Sequence, residues 1–189
     1  MAELNLKART ALNAQRFEYA GIAIEEITNR AIVSVATPLA GTLALENALQ
    51  RAYGAILPIV GKFTTGSDGG AIMLGLSIDQ FFLMFDNSGS EPTAIVRDLL
   101  GENAYVVDQS DSWAMIRMSG DNCRAALERI CPIDLHPQTF SEGCVTRTSM
   151  EHLATIIACE AVNTYLLLSP RSSANSFLHA IDTSARHVT

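Results

Sequence analysis

Charged side chains are scarce in this sequence, and lysine is almost absent. Asp, Glu, Lys and Arg make up 17% of the 189 residues, whereas a typical soluble domain contains about 25%. The only lysines are Lys7 and Lys62, against eleven arginines. Few charges, with arginine in place of lysine, are typical of surfaces that contact other proteins, although a GC-rich genome also favours arginine codons. We therefore expect a partner protein to cover part of the surface.

Positive charge is in short supply overall. The 13 Lys and Arg residues are outnumbered by 20 Asp and Glu residues, which gives a formal net charge of -7 at pH 7. The average surface field therefore repels phosphates and anionic lipid headgroups. No part of the sequence approaches the roughly 18 consecutive apolar residues of a membrane-spanning helix. We expect neither a nucleic acid nor a membrane as a partner.

Signals for secretion and for metal binding are also lacking. Residues 1–30 mix charges throughout and contain no apolar stretch of the kind found in signal peptides, so we expect a cytoplasmic location. The cysteines show no CxxC spacing, and the histidines supply no closely paired ligands. We predict no metal site and interpret the cysteines as buried thiols, namely Cys123, Cys131, Cys144 and Cys159.

Motifs for catalysis are missing as well. Ser110, Asp111 and His136 do not form a recognisable hydrolase set, because the GxSxG elbow is absent. The glycines of segment 66–70 lack a Walker lysine and precede a predicted strand, whereas a phosphate loop precedes a helix. We predict no catalytic residue in this chain.

Strand and helix signals occur twice in the same order. In the first half they predict a strand at 31–36 and then a helix, with Thr37 as its N-cap, Pro38 as its first residue and Gly54 as its C-cap. These are followed by a hairpin of 71–76 and 80–85, a helix capped by Ser90, and a strand at 104–108. In the second half they predict a strand at 114–118, a helix around 123–131, strands near 144–148, 153–159 and 164–168, and a last helix capped by Ser169 with Pro170 as its first residue. Leu39 and Leu43 are assigned to the buried stripe of the first helix.

The repeat predicts an α+β fold built from two ferredoxin-like halves, at about 31–108 and 112–186. Each half contains a strand, a helix, a strand pair and a second helix, a layer too thin to bury its own core. We therefore expect the halves to pack against each other as one duplicated domain over 31–189. Residues 1–30 are expected to form an irregular or partly helical arm.

The second half resembles a known family in several segments. The most distinctive is Cys131 to Pro137 (CPIDLHP), and the others are VDQSD at 107–111, IRMSG at 116–120, Phe140, Gly143 and YLLLSPR at 165–171. Together they resemble the gamma subunit of heterotetrameric sarcosine oxidase over about residues 105–185. In the first half, LSIDQFFL at 76–83 is similar to the family's LGPDEWLL hairpin, with Phe81 and Phe82 replacing the tryptophan.

The resemblance implies an oxidoreductase complex of four different chains, in which this chain is the non-catalytic gamma subunit. Its partners are expected to be a large alpha chain as main contact, a flavin-bearing beta chain and a small zinc-bearing delta chain. Such a complex oxidises sarcosine to glycine, with hydrogen peroxide and either formaldehyde or 5,10-methylenetetrahydrofolate as further products. FAD, FMN, NAD, zinc and tetrahydrofolate are then expected in the partner subunits and no cofactor in this chain. The family's fold is similar to the folate-binding domain of aminomethyltransferases such as the glycine cleavage T-protein.

We predict five subunit-contact residues: Trp113, Arg117, Asp134, His136 and Arg147. Through such contacts the chain would brace alpha, so that the flavin and the site that captures the one-carbon product keep a fixed relation. The alternative for each residue is a purely local role, such as satisfying backbone groups of a turn.

Three other functions remain open at this point. The first is the small subunit of a related N-methylglutamate dehydrogenase, which has the same subunit plan. The second is a stand-alone folate-binding or one-carbon protein, for which no acidic folate-holding residue or reactive-cysteine motif is recognised. The third is a duplicated ferredoxin-like sensor of a small metabolite, which should form a homodimer.

Overall fold

The computed structural model describes residues 9–87, 89 and 91–189, and two antiparallel sheets dominate this part of the chain. The strands are β1 (Arg16–Tyr19), β2 (Ile22–Ile27), β3 (Arg30–Ala36), β4 (Phe63–Thr65), β5 (Ala71–Gly75), β6 (Gln80–Asp86), β7 (Tyr105–Asp108), β8 (Trp113–Ser119), β9 (Val145–Met150), β10 (Leu153–Ala161) and β11 (Thr164–Pro170). The helices are α1 (Thr42–Tyr53), α2 (Pro92–Leu100), α3 (Cys123–Glu128) and α4 (Ala174–Arg186). Within the described residues, no helix is both long and apolar enough to cross a membrane.

The sheets and helices form four layers. The five-stranded sheet has the order β4-β5-β6-β3-β7, and the six-stranded sheet has the order β1-β2-β8-β11-β10-β9. Apolar side chains of α1 and α2 pack on the outer face of the five-stranded sheet, and those of α3 and α4 pack on the outer face of the six-stranded sheet. A third core, made of strand residues alone, fills the space between the two sheets. The expected packing of the two halves against each other is confirmed.

The duplication is visible strand by strand. β3, α1, β5, β6 and α2 correspond in order and position to β8, α3, β10, β11 and α4. Val33 of β3 pairs with Leu83 of β6, as Ile116 of β8 pairs with Leu167 of β11. β7 completes the first unit beside β3, whereas β2 completes the second unit beside β8. The predicted α+β fold with two ferredoxin-like halves is therefore confirmed, and the second half takes its fourth strand from the amino-terminal segment.

Residues 16–27 differ from the irregular or partly helical arm that the sequence predicted. They form the hairpin β1-β2, whose turn contains Gly21 at φ 73°, a conformation that glycine adopts without strain. Ile22 and Ile24 face the core, while Glu25 and Glu26 are less buried. This alternation is too short to stand out in the sequence. Residues 1–8 of the predicted arm lie outside the described residues, and the domain boundary at residue 30 stays a prediction.

Two of the predicted helix starts are wrong. α1 begins at Thr42 because Ala40 has φ 57°, and the Gly41 amide donates to the Pro38 carbonyl in a turn that ends before the helix. Ser169 is fully buried inside β11, and α4 begins only after a 3₁₀ turn at 171–173. The left-handed C-cap at Gly54 is confirmed, with φ 61° and ψ 26°. The predicted cap Ser90 lies outside the described residues.

The two sheets are joined along one edge by backbone hydrogen bonds. Lys62 and Cys144 face each other in an isolated antiparallel bridge. On either side of it, the Phe63 amide donates to the Gly143 carbonyl at 2.8 Å and the Val145 amide donates to the Gly61 carbonyl at 3.0 Å. This bridge connects the segment before β4 with the segment before β9 and thus links the two halves of the duplication.

Candidate subunit-contact surfaces

Two of the predicted contact residues, Trp113 and Arg147, meet at the ring of Phe82. The rings of Trp113 and Phe82 are in an edge-to-face arrangement with centroids 5.8 Å apart, and the Arg147 guanidinium carbon lies 5.6 Å from the centre of the Phe82 ring. The contact spans both sheets, because Phe82 belongs to β6, Trp113 is the first residue of β8 and Arg147 lies on β9. Arg147 is exposed, and Trp113 is half-buried.

A cavity of about 290 Å³ opens beside Trp113. Its wall includes Arg9, Arg30 and Arg171. Two nitrogen atoms of lining residues, Nε1 of Trp113 and Nη1 of Arg30, are buried and have no hydrogen-bond partner among the described residues. Glu26 also lines the cavity, but its carboxylate already accepts hydrogen bonds from Thr10, Leu12 and Ala14. A buried donor without a partner is destabilising. Nε1 of Trp113 and Nη1 of Arg30 therefore remain unsatisfied donors within the described part of the isolated chain.

Arg117 is engaged within the chain. Its Nε donates to Glu160 Oε2 at 2.7 Å, its Nη2 donates to Glu160 Oε1 at 3.2 Å, and its Nη1 lies 3.5 Å from Glu25 Oε1. The hydrogen bonds to Glu160 raise the pKa of Arg117 above its ordinary value. The three side chains tie β2, β8 and β10 together across the six-stranded sheet.

Asp134 and His136 stabilise a turn. The Asp134 carboxylate accepts from the His136 backbone amide and from the Thr139 hydroxyl, each at 2.9 Å. These hydrogen bonds hold the pKa of Asp134 below its usual range. His136 Nδ1 accepts from the Gln138 amide at 3.3 Å. Both residues thus have a local role in this turn, and their contact role stays a prediction.

Sequence reasoning missed a group of exposed apolar side chains at one end of the five-stranded sheet. We call this group the apolar end surface: Leu39, Leu43, Ile59, Val60 and Ile78. Ile78 is 95% exposed, and Leu39 is as exposed as in an extended chain. The predicted burial of Leu39 and Leu43 in the stripe of α1 is wrong: Leu39 lies before α1, which starts only at Thr42, and Leu43 lies on an exposed face of α1. An isoleucine at the hairpin tip, between Ser77 and Asp79, was the signal in the sequence that could have indicated this surface.

Backbone hydrogen bonds hold the apolar end surface together. The Thr37 amide donates to the Asp79 carbonyl at 2.8 Å, which joins the segment before α1 to the β5-β6 turn. The Gly61 amide donates to the Gly75 carbonyl at 3.0 Å, which fixes segment 59–61 to the end of β5. A groove of about 400 Å³ runs between Leu39, Leu57 and Ile78, with Asp79 as the single charged residue on its wall. The segments that carry Ile59, Val60 and Ile78 are therefore held by backbone hydrogen bonds, and the wall of the groove between Leu39 and Ile78 carries one charge.

Metal-ligating side chains do not converge in the part of the chain that the structure describes. No three His, Cys, Asp or Glu residues within it are placed to hold a metal ion together.

Sequence comparison identifies one family. A family model described as "Sarcosine oxidase, gamma subunit family" matches residues 39–186. A sarcosine oxidase subunit gamma of Corynebacterium sp. (strain P-1) is 28% identical over 126 residues, which cover 67% of this chain and 62% of that protein. A sarcosine oxidase subunit gamma of Arthrobacter sp. is 27% identical over 110 residues, which cover 58% of this chain and 54% of that protein. The chain thus spans less than two thirds of the length of the curated relatives it matches.

Structural comparison shows the same fold in two solved structures. A chain of the heterotetrameric sarcosine oxidase from Corynebacterium sp. U-96, in complex with pyrrole 2-carboxylate, has a TM-score of 0.79 at 21% identity, and the match covers 96% of each chain. The glycine cleavage system aminomethyltransferase T from Bartonella henselae has a TM-score of 0.60 at 14% identity, and the match covers 90% of this chain and 47% of that chain. These likenesses concern the fold.

Proposed function

The chain belongs to the sarcosine oxidase gamma subunit family, and on this premise we propose that it is the gamma subunit of a heterotetrameric sarcosine oxidase. The complex oxidises sarcosine to glycine, with hydrogen peroxide and formaldehyde or 5,10-methylenetetrahydrofolate as further products. This chain is non-catalytic, and the alpha, beta and delta chains hold FAD, FMN, NAD, zinc and tetrahydrofolate. The curated relatives carry the sarcosine oxidase name, which favours this function over the three alternatives raised by the sequence. The complex is cytoplasmic.

The apolar end surface is the observation that carries the proposal. Burying a leucine or isoleucine side chain contributes roughly 1.5–3 kcal/mol, and this surface leaves several of them in water at fixed positions. Exposed apolar patches of this kind mark sites of protein–protein contact. The low charge of the whole chain supports the same conclusion. We assign the apolar end surface to the alpha subunit as its main contact.

The double-sheet core explains how such a subunit acts without chemistry of its own. Two sheets packed face to face, each backed by helices, form a rigid support. A rigid support bound to alpha keeps the flavin and the site of one-carbon capture in a fixed relation.

The test is assembly of the complex from co-expressed chains, with an affinity tag on this chain. Ile78→Asp places a charge in the apolar end surface, and we expect it to reduce the recovery of the other three chains and of flavin absorbance by tenfold or more. Val162→Asp is the matched control, because Val162 is also exposed, at 78%, but lies in the β10-β11 turn. The proposal is wrong if the unmodified chain elutes as a colourless homo-oligomer without other chains. Equal losses for both variants would remove the assignment of this surface to alpha.

A further inference from the structure

Lys62 and Cys144 form a close pair of side chains at the edge where the two sheets meet. The Lys62 Nζ lies 3.1 Å from the Cys144 Sγ. The two residues also face each other in the isolated β-bridge, so the backbone holds them in register. Cys144 is 7% exposed, and Lys62, which lies over it, is exposed. Neither residue belongs to the subunit-contact surfaces described above.

The surroundings of Cys144 differ from those of the other three cysteines. Burial raises the pKa of its thiol, but hydrogen bonds from the Lys62 ammonium and the Ser141 hydroxyl outweigh this effect and hold the pKa below its ordinary value. Burial raises the pKa of Cys123 to about 12 and also raises the pKa values of Cys131 and Cys159. Because peroxides oxidise the thiolate and not the thiol, Cys144 is the cysteine that the geometry prepares for oxidation.

We propose that hydrogen peroxide converts the Cys144–Lys62 pair into a covalent sulfur–nitrogen link. The thiolate attacks peroxide, an S–O bond forms as the O–O bond breaks, and hydroxide leaves; sulfur is oxidised and peroxide is reduced. The hydroxide takes a proton from the Lys62 ammonium and becomes water. The resulting amine attacks the sulfenic sulfur, an S–N bond forms as the S–O bond breaks, and a second water leaves with a proton of the amine. Thiolate, ammonium and one peroxide thus give a sulfenamide and two waters.

The position of Lys62 makes this reaction faster than further oxidation of the sulfur. The amine is already within 3.1 Å of the sulfur, and its flexible stem allows it to close the remaining gap. A reactant held at such a distance reacts at a high effective concentration. The link would fasten the segment before β4 to the segment before β9 and close a covalent loop between the two halves. The peroxide is the product of the proposed oxidase, and only this source of the peroxide rests on the proposed function.

The test exposes the purified full-length chain to a small molar excess of hydrogen peroxide. Intact mass should fall by about 2 Da through loss of two hydrogens. Peptide mapping without reductant should join the peptide of Lys62 to the peptide of Cys144, and dithiothreitol should separate them. Lys62→Arg keeps the positive charge but lacks a nucleophilic amine, so its Cys144 should stop at the sulfenic acid, which dimedone traps. Cys159→Ser should still form the link.

Two results would overturn the inference: a Cys144–Cys159 disulfide in place of the link, or oxidation of Cys144 to sulfinic acid at the same rate in the parent chain and in Lys62→Arg. The assembled complex supplied with sarcosine, with and without catalase, addresses the source of the peroxide. If the complex produces no sarcosine-dependent peroxide, the proposed function is wrong. The result obtained with added peroxide on the purified chain is unaffected by that outcome.

Discussion

Gly75 shows how one residue determines the shape of a surface. A Cβ built on Gly75 would lie 2.1 Å from the carbonyl oxygen of Ile59 and 2.8 Å from that of Lys62. Both contacts are with backbone, so segment 59–62 would have to move away from β5. The close approach of this segment to β5 therefore requires glycine, and so does the position of Ile59 and Val60 in the apolar end surface.

We expect Gly75→Ala to lower the free energy of unfolding by about 2 kcal/mol, because overpacking against backbone of this kind typically costs 1–3 kcal/mol. Urea unfolding of the isolated chain measures the change. Gly70→Ala is the control, since its Cβ would meet only ordinary contacts at 3.5 Å with the Asp68 side chain. Equal stability of Gly75→Ala and the parent chain would mean that segment 59–62 moves away from β5 without a loss of stability.

Arg117 shows how an ion pair can stabilise a sheet from within. Its side chain is 29% exposed, and that of Glu160 is 14% exposed. Arg117→Met leaves the Glu160 carboxylate with little water and without its donor, and we expect a loss of roughly 1–3 kcal/mol. Arg16→Met breaks the ion pair between Arg16 and Glu18, in which both side chains are more than 60% exposed. This substitution should lower the free energy of unfolding by at most about 1 kcal/mol. Thermal unfolding of both variants makes the comparison, and similar shifts would contradict this account of Arg117.

The hairpin β1-β2 is held to α4 by one polar contact as well as by its core residues. The Tyr19 hydroxyl donates to the Asp182 carboxylate, and Arg186 donates to the same carboxylate while its guanidinium carbon lies 5.5 Å from the centre of the Tyr19 ring. Burial would raise the pKa of Asp182, but the hydrogen bonds from Arg186 and Tyr19 hold it below its ordinary value. The hairpin β1-β2, which supplies the fourth strand of the second half, is therefore bound to α4 through the charged form of Asp182.

This contact predicts a pH dependence. Because the folded-state pKa of Asp182 is depressed, its contribution to stability is fully present above the unfolded-state pKa and is lost as the pH falls through the folded-state pKa. Asp182→Asn should therefore lower stability at neutral pH and make it less sensitive to acid. The free energy of unfolding of both chains is measured from pH 7 down to the pH at which the parent chain unfolds. Parallel curves of stability against pH would show that Asp182 does not cause the pH dependence.

At the scale of elements, the sequence predicts those strands and helices that have a clear hydrophobic period or a clear terminating residue. The strand at 31–36 and the C-cap at Gly54 follow from β-branched residues and from a glycine after an apolar stripe. The start of α1 does not follow, because a Thr-Pro pair is a valid helix start unless the chain turns first. The turn at Ala40 is stabilised by contacts between distant segments, such as that from Thr37 to Asp79, and such contacts leave no local signal.

At the scale of the whole molecule, the duplicated α+β fold can be predicted from the sequence, whereas only Ile78 of the apolar end surface has a signal there. The repeat is a matter of order along the chain, which the sequence preserves. Leu39 and Leu43 differ in no chemical respect from the buried leucines Leu45 and Leu49, so only the start of α1 and the face that it buries separate surface from core. A distinctive motif does not by itself indicate a contact residue, because the motif around Asp134 forms a local turn.

Trp113 offers a prediction that separates folding from assembly. Trp113→Phe keeps an aromatic ring against Phe82 and removes a buried Nε1 donor that has no partner. The isolated chain should unfold within a few degrees of the parent chain. If an acceptor of another subunit occupies the cavity beside Trp113, recovery of the partner chains should fall by about fivefold, which corresponds to one lost hydrogen bond of roughly 1 kcal/mol. Unchanged recovery would leave Trp113 with its packing role alone.

The origin of the fourth strand of the second half has a consequence for synthesis on the ribosome. Glu25 of β2 and Arg117 of β8 are 92 residues apart, so β2 leaves the ribosome long before the strand it pairs with. The first half, which includes its own fourth strand β7, has all its parts as soon as residue 108 has emerged. We therefore expect it to fold first, while the hairpin β1-β2 waits with an open edge until the second half has been translated. The hairpin β1-β2, the first synthesised of the described strand pairs, thus docks only after β8 has emerged.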